Sequence, residues 1–150
     1  MLSAETPGGL SIHPVTGLGE VRPGDDLALL LSEALLPDRP GGSSVPGGLI
    51  NGDVLVVTQK VVSKAEGRIV DIDPDDPEAK RALVEGESVR IVRRRGDLLI
   101  TETGHGFICA NAGVDLSNVE AGTAALLPVD PDRSARRKLC SCSPSRILAV

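Results

Sequence analysis

The apolar positions divide the chain into many short elements. Residues 10–15 (LSIHPV) alternate apolar and polar and predict a strand. Residues 23–26 (PGDD) form a turn that ends in a helix N-cap. Leu27, Leu30, Leu31, Ala34 and Leu35 then recur at helical spacing, so one face of that helix is core, and Pro37 stops it. A turn at Asn51-Gly52-Asp53 precedes VLVV (54–57), a continuous apolar run expected of a strand buried on both faces. TQKVVSKAEG (58–67) reads as a short helix with Gly67 at its C-cap, followed by a second strand over 68–72.

The acidic turn DPDDP (73–77) suits the start of a helix. Residues 78–84 and 88–95 are expected to be helical, with a break near Gly86. Residues 98–102 predict a strand, with 107–110 as its hairpin partner, and 123–129 another strand closed by Pro131. Residues 40–48, rich in Gly, Ser and Pro, read as a mobile loop. Residues 134–139 begin like a helix, but CSCSPSRILAV (140–150) has neither helical nor strand period. That tail is expected to pack poorly, as if the chain ended by truncation or a shifted reading frame. Strands and helices interleave irregularly, and hairpins are expected near Gly104 and Gly52. The predicted fold class is therefore α+β, a single domain with a mixed or antiparallel sheet and flanking helices.

Composition narrows the function. The chain has 150 residues, enough for one core. It has one Phe and no Trp or Tyr, so it lacks the aromatics of a base-stacking platform. A net charge of −5 also argues against a nucleic-acid partner. No signal peptide and no membrane-length apolar run are visible, and three cysteines cannot pair completely, so a cytoplasmic setting is expected. Cys140 and Cys142 form a Cys-x-Cys too sparse in partners for a strong zinc signal. Gly17-Leu18-Gly19-Glu20-Val21 lacks the third glycine of a dinucleotide loop, and no Gly-Lys-Ser/Thr follows as in a phosphate loop.

The stretch that stands out is GHGFICANAGVDLSN (104–118). Its glycines allow close backbone approach, and Asn111, Asp115 and Asn118 place polar groups where the strand pattern stops. A plain hairpin loop would carry the same residues for turn geometry alone.

Four stretches together resemble the coenzyme F420-0:L-glutamate ligase family: VTGLGEVRPGDDL (15–27), NGDVLVVTQKVVSKAEGR (51–68), GHGFICANAGVDLSNV (104–119) and LLPVDPD (126–132). Residues 1–138 thus resemble the N-terminal part of such a ligase, with 139–150 an atypical tail. The resemblance implies transfer of the γ-phosphoryl of GTP to a substrate carboxylate. The amine of L-glutamate then attacks the acyl phosphate, giving an amide, GDP and phosphate. It further implies Mg²⁺ or Mn²⁺, K⁺, coenzyme F420-0 and L-glutamate as ligands, and a homodimer for the full-length family, with no membrane partner.

By the same resemblance Leu18, Gly19, Glu20, Val21, Gln59, Lys64 and Asn118 contact GTP and Asp115 binds metal. Gly19 stands where the family usually has Pro, and Gln59 where many members have Ser. No catalytic residue is assigned. The family's other metal ligands and its second GTP-binding stretch lie further on than this sequence runs. The competing expectation is an inactive fragment that at most binds nucleotide or pairs with another chain.

Overall fold

A computed structural model describes residues 9–36, 48–73, 75–117, 120–141 and 146–149, with 137–141 and 146–149 described by backbone alone. The element order is α1 (Leu27–Ala34), β1 (Val54–Val57), α2 (Gln59–Ala65), β2 (Ile69–Asp71), α3 (Pro77–Gly86), β3 (Ser88–Arg95), β4 (Leu98–Thr103), β5 (Ile108–Ala110), β6 (Thr123–Ala125), α4 (Pro131–Ser141) and β7 (Arg146–Ala149). The strands form three small sheets: β1 with β7 in parallel, β2 with β6 antiparallel, and β3-β4-β5 antiparallel. The α+β class is therefore as expected.

Local chemistry explains most boundaries. The Asp26 carboxylate accepts from the amides of Ala28 and Leu29 and caps α1. Asp76 caps α3 in the same way, with Pro77 in the first turn. Helix α2 ends in a Schellman motif: Arg68 N–H bonds the Ser63 carbonyl at 2.8 Å, Gly67 N–H bonds that of Lys64 at 3.0 Å, and Gly67 has φ +68°.

The described residues form two cores. Leu27, Leu31 and Leu35 from α1 meet Leu55 and Val57 from β1 and Val62 from α2. The second, smaller core joins Val84 of α3, Leu99 of β4 and Ala112. Ala112 belongs to Asn111-Ala112-Gly113, one left-handed turn with φ of +49°, +52° and +73°. The turn is closed by Val114 N–H on the Asn111 carbonyl, and the Asn111 side chain accepts from Leu99 N–H.

Several expectations need correcting. Residues 10–15 form no strand: Leu10 and Ile12 are 88% and 86% exposed, because alternation without a pairing partner leaves a strand unbuilt. Residues 88–95 are not helical but are the long edge strand β3. Val89, Ile91 and Val92 are β-branched, and a Gly96-Asp97 turn with Gly96 at φ +57° folds them onto β4. The Arg90–Glu102 pair at 2.6 Å then links the two strands.

Residues 54–57 are a strand, but not one buried on both faces. Leu55 and Val57 face the core while Val54 and Val56 are more than half exposed, since α1 and α2 cover one face only. The hairpin expected near Gly104 joins β4 to β5, whereas the Gly52 turn opens β1 with no strand before it. The strand expected over 123–129 is shorter, Thr123–Ala125; Leu126 N–H still reaches the Arg68 carbonyl at 2.9 Å, and Pro128 has no N–H with which to extend the ladder further. The tail expected to pack poorly contributes β7, paired with β1 from Val54↔Arg146 to Val57↔Ala149. The loop at 40–48 lies outside the described residues except for Gly48.

The left-handed turn gives a test of backbone economy. A Cβ built on Gly113 would sit 2.8 Å from Leu127 side-chain atoms at a φ that L-residues rarely adopt. Gly113→Ala should therefore destabilise the chain by about 1–3 kcal/mol. Gly104→Ala, where a Cβ would meet nothing within 4 Å, should cost far less. Paired thermal or urea unfolding curves decide it.

Candidate functional site

Helix α2 is the platform. Its buried side holds Val62 and Ser63. The Ser63 hydroxyl donates to the Leu126 carbonyl at 2.6 Å, and the Gln59 amide donates to the same carbonyl at 2.9 Å and to Ser63 Oγ at 2.8 Å. These bonds tie α2 to the chain just beyond β6. At the far end, Glu66 accepts from Val129 N–H and from the Ser134 hydroxyl at the start of α4. Lys60 and Lys64, one helical turn apart, lie on one face of this fixed helix.

The loop over 17–24 docks beside α2. Leu18 and Val21 are half-buried against the first core, so their side chains anchor the loop. Gly24 N–H bonds the Ala65 carbonyl at 2.9 Å and holds the loop to the end of α2. Gly19 and Glu20 are left exposed. A Cβ on Gly19 would meet nothing within 4 Å, so the glycine answers no steric demand there. Glu20 Oε1 lies 2.9 Å from Lys64 Nζ. This hydrogen bond and the charge of Lys64 hold the Glu20 carboxyl below its ordinary range. The pair is exposed, so solvent screens it and it adds little to stability.

Asp115 follows the left-handed turn. Its backbone is fixed by two hydrogen bonds with the fully buried Ala125, of 2.9 and 2.8 Å. One carboxylate oxygen, Oδ1, accepts from Ser117 N–H at 2.7 Å and from the Ser117 hydroxyl at 2.6 Å. The other, Oδ2, lies 2.9 Å from Lys60 Nζ, and Lys60 also donates to the Ser117 carbonyl. The Ser117 hydroxyl, then Lys60, then the Ser117 amide hold Asp115 down to about 2. It is ionised throughout the neutral range.

The structure thus brings Glu20 and Lys64 into contact, with Leu18, Gly19 and Val21 beside them. Asp115 meets α2 through Lys60. Gln59 is on the same helix, but its amide hydrogens are turned inward to Ser63 and Leu126. Asn118 lies outside the described residues. Lys60 and Ser117 were missed from sequence. The i, i+4 spacing of Lys60 and Lys64 was a signal for the first; nothing local marked the second.

As a cation site, the Asp115 carboxylate and the Ser117 carbonyl are hard oxygen donors that suit Mg²⁺, Mn²⁺ or K⁺. Among the described residues no group of three or more His, Cys, Asp or Glu could hold a metal. These two oxygens would fill only part of a cation's coordination shell. Of the cysteines, Cys109 is free and partly buried. No helix among the described residues is long and apolar enough to cross a membrane.

The α+β domain thus sets two lysines and an ionised aspartate around one short helix. Comparison with known proteins makes the class specific. A family model described as F420-0:Gamma-glutamyl ligase matches residues 17–139, and the chain belongs to that family. It is 42% identical over 145 residues to the coenzyme F420:L-glutamate ligase of Methanothermobacter thermautotrophicus, a match covering 87% of this chain and 55% of that relative. It is 41% identical over 141 residues to the protein of the same name from Methanopyrus kandleri, covering 85% of this chain and 51% of the relative. For the Archaeoglobus fulgidus protein of that name the identity is 34% over 154 residues, with 92% and 57% covered. The chain spans about half the length of these curated relatives.

The Asp115 turn predicts a pH response. Its folded pKa of about 2 lies below the ordinary 3.8, so its contribution to stability is present above about pH 4 and is lost as pH falls towards 2. Ser117→Ala removes the strongest stabiliser of the anion and should move the Asp115 pKa up towards 3.8. A carboxyl-carbon NMR titration of both proteins reads the shift; an unmoved pKa would show that Ser117 is not what holds the charge.

Proposed function

We propose that this chain forms the nucleotide- and cation-binding part of a GTP-dependent ligase that adds L-glutamate to coenzyme F420-0. The observation that carries the reading is Lys64 on α2 facing the Glu20 loop, with Asp115, held ionised chiefly by Ser117, paired to Lys60 of the same helix. Family membership supports the same reading. Lys64 suits a phosphate as a compact point charge on a flexible stem. An incoming phosphate would take over the Lys64 ammonium from Glu20, an exchange that is cheap at an exposed pair.

In this reading the Leu18–Val21 loop and Asn118 complete the nucleotide contacts, and Gln59 contributes its carbonyl oxygen or a reoriented amide. Asp115 is one ligand of a Mg²⁺ or Mn²⁺ ion; K⁺ is a further expected cation. When bound, the divalent ion neutralises the phosphate oxygens between which phosphoryl passes. The carboxylate of coenzyme F420-0 takes the γ-phosphoryl of GTP. The L-glutamate amine displaces phosphate from the acyl phosphate, and amide, GDP and phosphate leave. We place the protein in the cytoplasm, where a thiol such as Cys109 stays reduced. A homodimer is the proposed assembly for full-length members.

A second reading is an inactive partial ligase that retains nucleotide binding. That no group of three or more His, Cys, Asp or Glu among the described residues could hold a metal favours it for this chain acting alone. Two measurements test them: the first probes the nucleotide contact that both readings share, and the second separates them. Lys64→Ala should weaken GTP binding by about five- to tenfold in a calorimetric titration, with little effect on the unfolding midpoint. Incubated with coenzyme F420-0, GTP, L-glutamate and Mn²⁺, the chain alone should yield no glutamylated product by mass, because phosphoryl transfer depends on charge stabilisation from a complete, positioned metal site. Product at the rate of a full-length ligase would discard the second reading.

A further inference from the structure

We propose that Lys60 is a built-in counter-cation of the Asp115 site: its ammonium holds the oxygens a divalent cation would take, so the cation binds only as Lys60 leaves. The inference rests on the reading of Asp115 as a cation ligand. It adds a competing-cation role for a residue that neither the resemblance nor the relatives' names assign.

The geometry is specific. Asp115 Oδ1 is occupied by two donors from Ser117. Asp115 Oδ2 is held by Lys60 Nζ at 2.9 Å, and the same ammonium donates to the Ser117 carbonyl. Oδ2 and that carbonyl are the two oxygens through which this turn would grip a hard cation, and Lys60 grips both. A divalent ion cannot share them with an ammonium, since like charges at that separation repel strongly.

The placement of Lys60 is not incidental to a loose surface. Its side chain is only 20% exposed, and it springs from the first turn of a helix pinned by the Leu126 carbonyl. Lysine also suits the role. Its compact charge on a flexible stem swings away without disturbing the helix, whereas a planar guanidinium would lock a carboxylate in a bidentate grip. Asp115 is ionised at neutral pH with or without a partner, so the net effect of Lys60 on cation binding is competition for the same oxygens.

The test is Mn²⁺ binding by the 150-residue chain, read from the free Mn²⁺ signal in electron paramagnetic resonance. Lys60→Met keeps the stem and removes the charge, and should tighten Mn²⁺ binding by about five- to tenfold. Lys60→Arg should keep binding at or below the wild-type level. Asp115→Asn should abolish the Lys60-sensitive binding in either background, with circular dichroism showing that all variants fold. Unchanged affinity in Lys60→Met, with binding still lost in Asp115→Asn, would overturn the competition and leave the Asp115 reading standing. Absence of Asp115-dependent binding in every variant would overturn both.

Discussion

The carbonyl of Leu126 is the constraint on which the candidate site depends. Two donors from α2, the Ser63 hydroxyl and the Gln59 amide, converge on it, and the Ser63 bond is buried. A buried carbonyl with fixed donors is a strong positional restraint, because losing a donor there leaves an unsatisfied polar group away from water. Helix α2 has seven residues, too few to be stable by its own propensity. Its placement comes from this carbonyl, from Val62 in the core and from the Schellman closure at Gly67. Once α2 is placed, Lys60 and Lys64 are delivered to their partners by helical geometry alone.

Each lysine meets a carboxylate from a different part of the chain. Lys64 meets Glu20 from the loop before α1, and Lys60 meets Asp115 from the turn after β5. Both pairs are partly exposed, so they stabilise the fold little. Their effect is organisational: two carboxylates from distant parts of the chain are held against two lysines of one helix face. The Ser117 hydroxyl contributes more than Lys60 to holding the Asp115 anion, so its charge does not depend on Lys60 alone.

The left-handed turn at residues 111–113 shows where the backbone bears cost for position. Three consecutive positive φ values bring Ala112 into the second core and aim Val114 and Asp115 along β6. Only the glycine among the three adopts such a φ without strain, and Leu127 packs where a side chain on it would go. The asparagine offsets part of its own cost through the bond from Leu99 N–H.

Much of this was legible in the sequence because it depends on neighbours in the chain. The caps at Asp26 and Asp76, the apolar face of α1, the Gly67 helix stop and the Gly104 hairpin all follow from local spacing and residue chemistry. The stretches at 51–68 and 104–119 also carried the family signal, since they hold the helix and the turn that build the site. What the sequence could not decide were the matters settled by distant partners. Residues 88–95 became a strand because β4 supplied its ladder, and 10–15 did not because no described segment pairs with it. VLVV at 54–57 read as doubly buried because composition cannot count how many faces are covered. Lys60 and Asp115 are 55 positions apart in the numbering, and only the packing of α2 against Leu126 brings their charges to 2.9 Å. Local geometry is written in local residues; which charges meet is decided by how the elements pack.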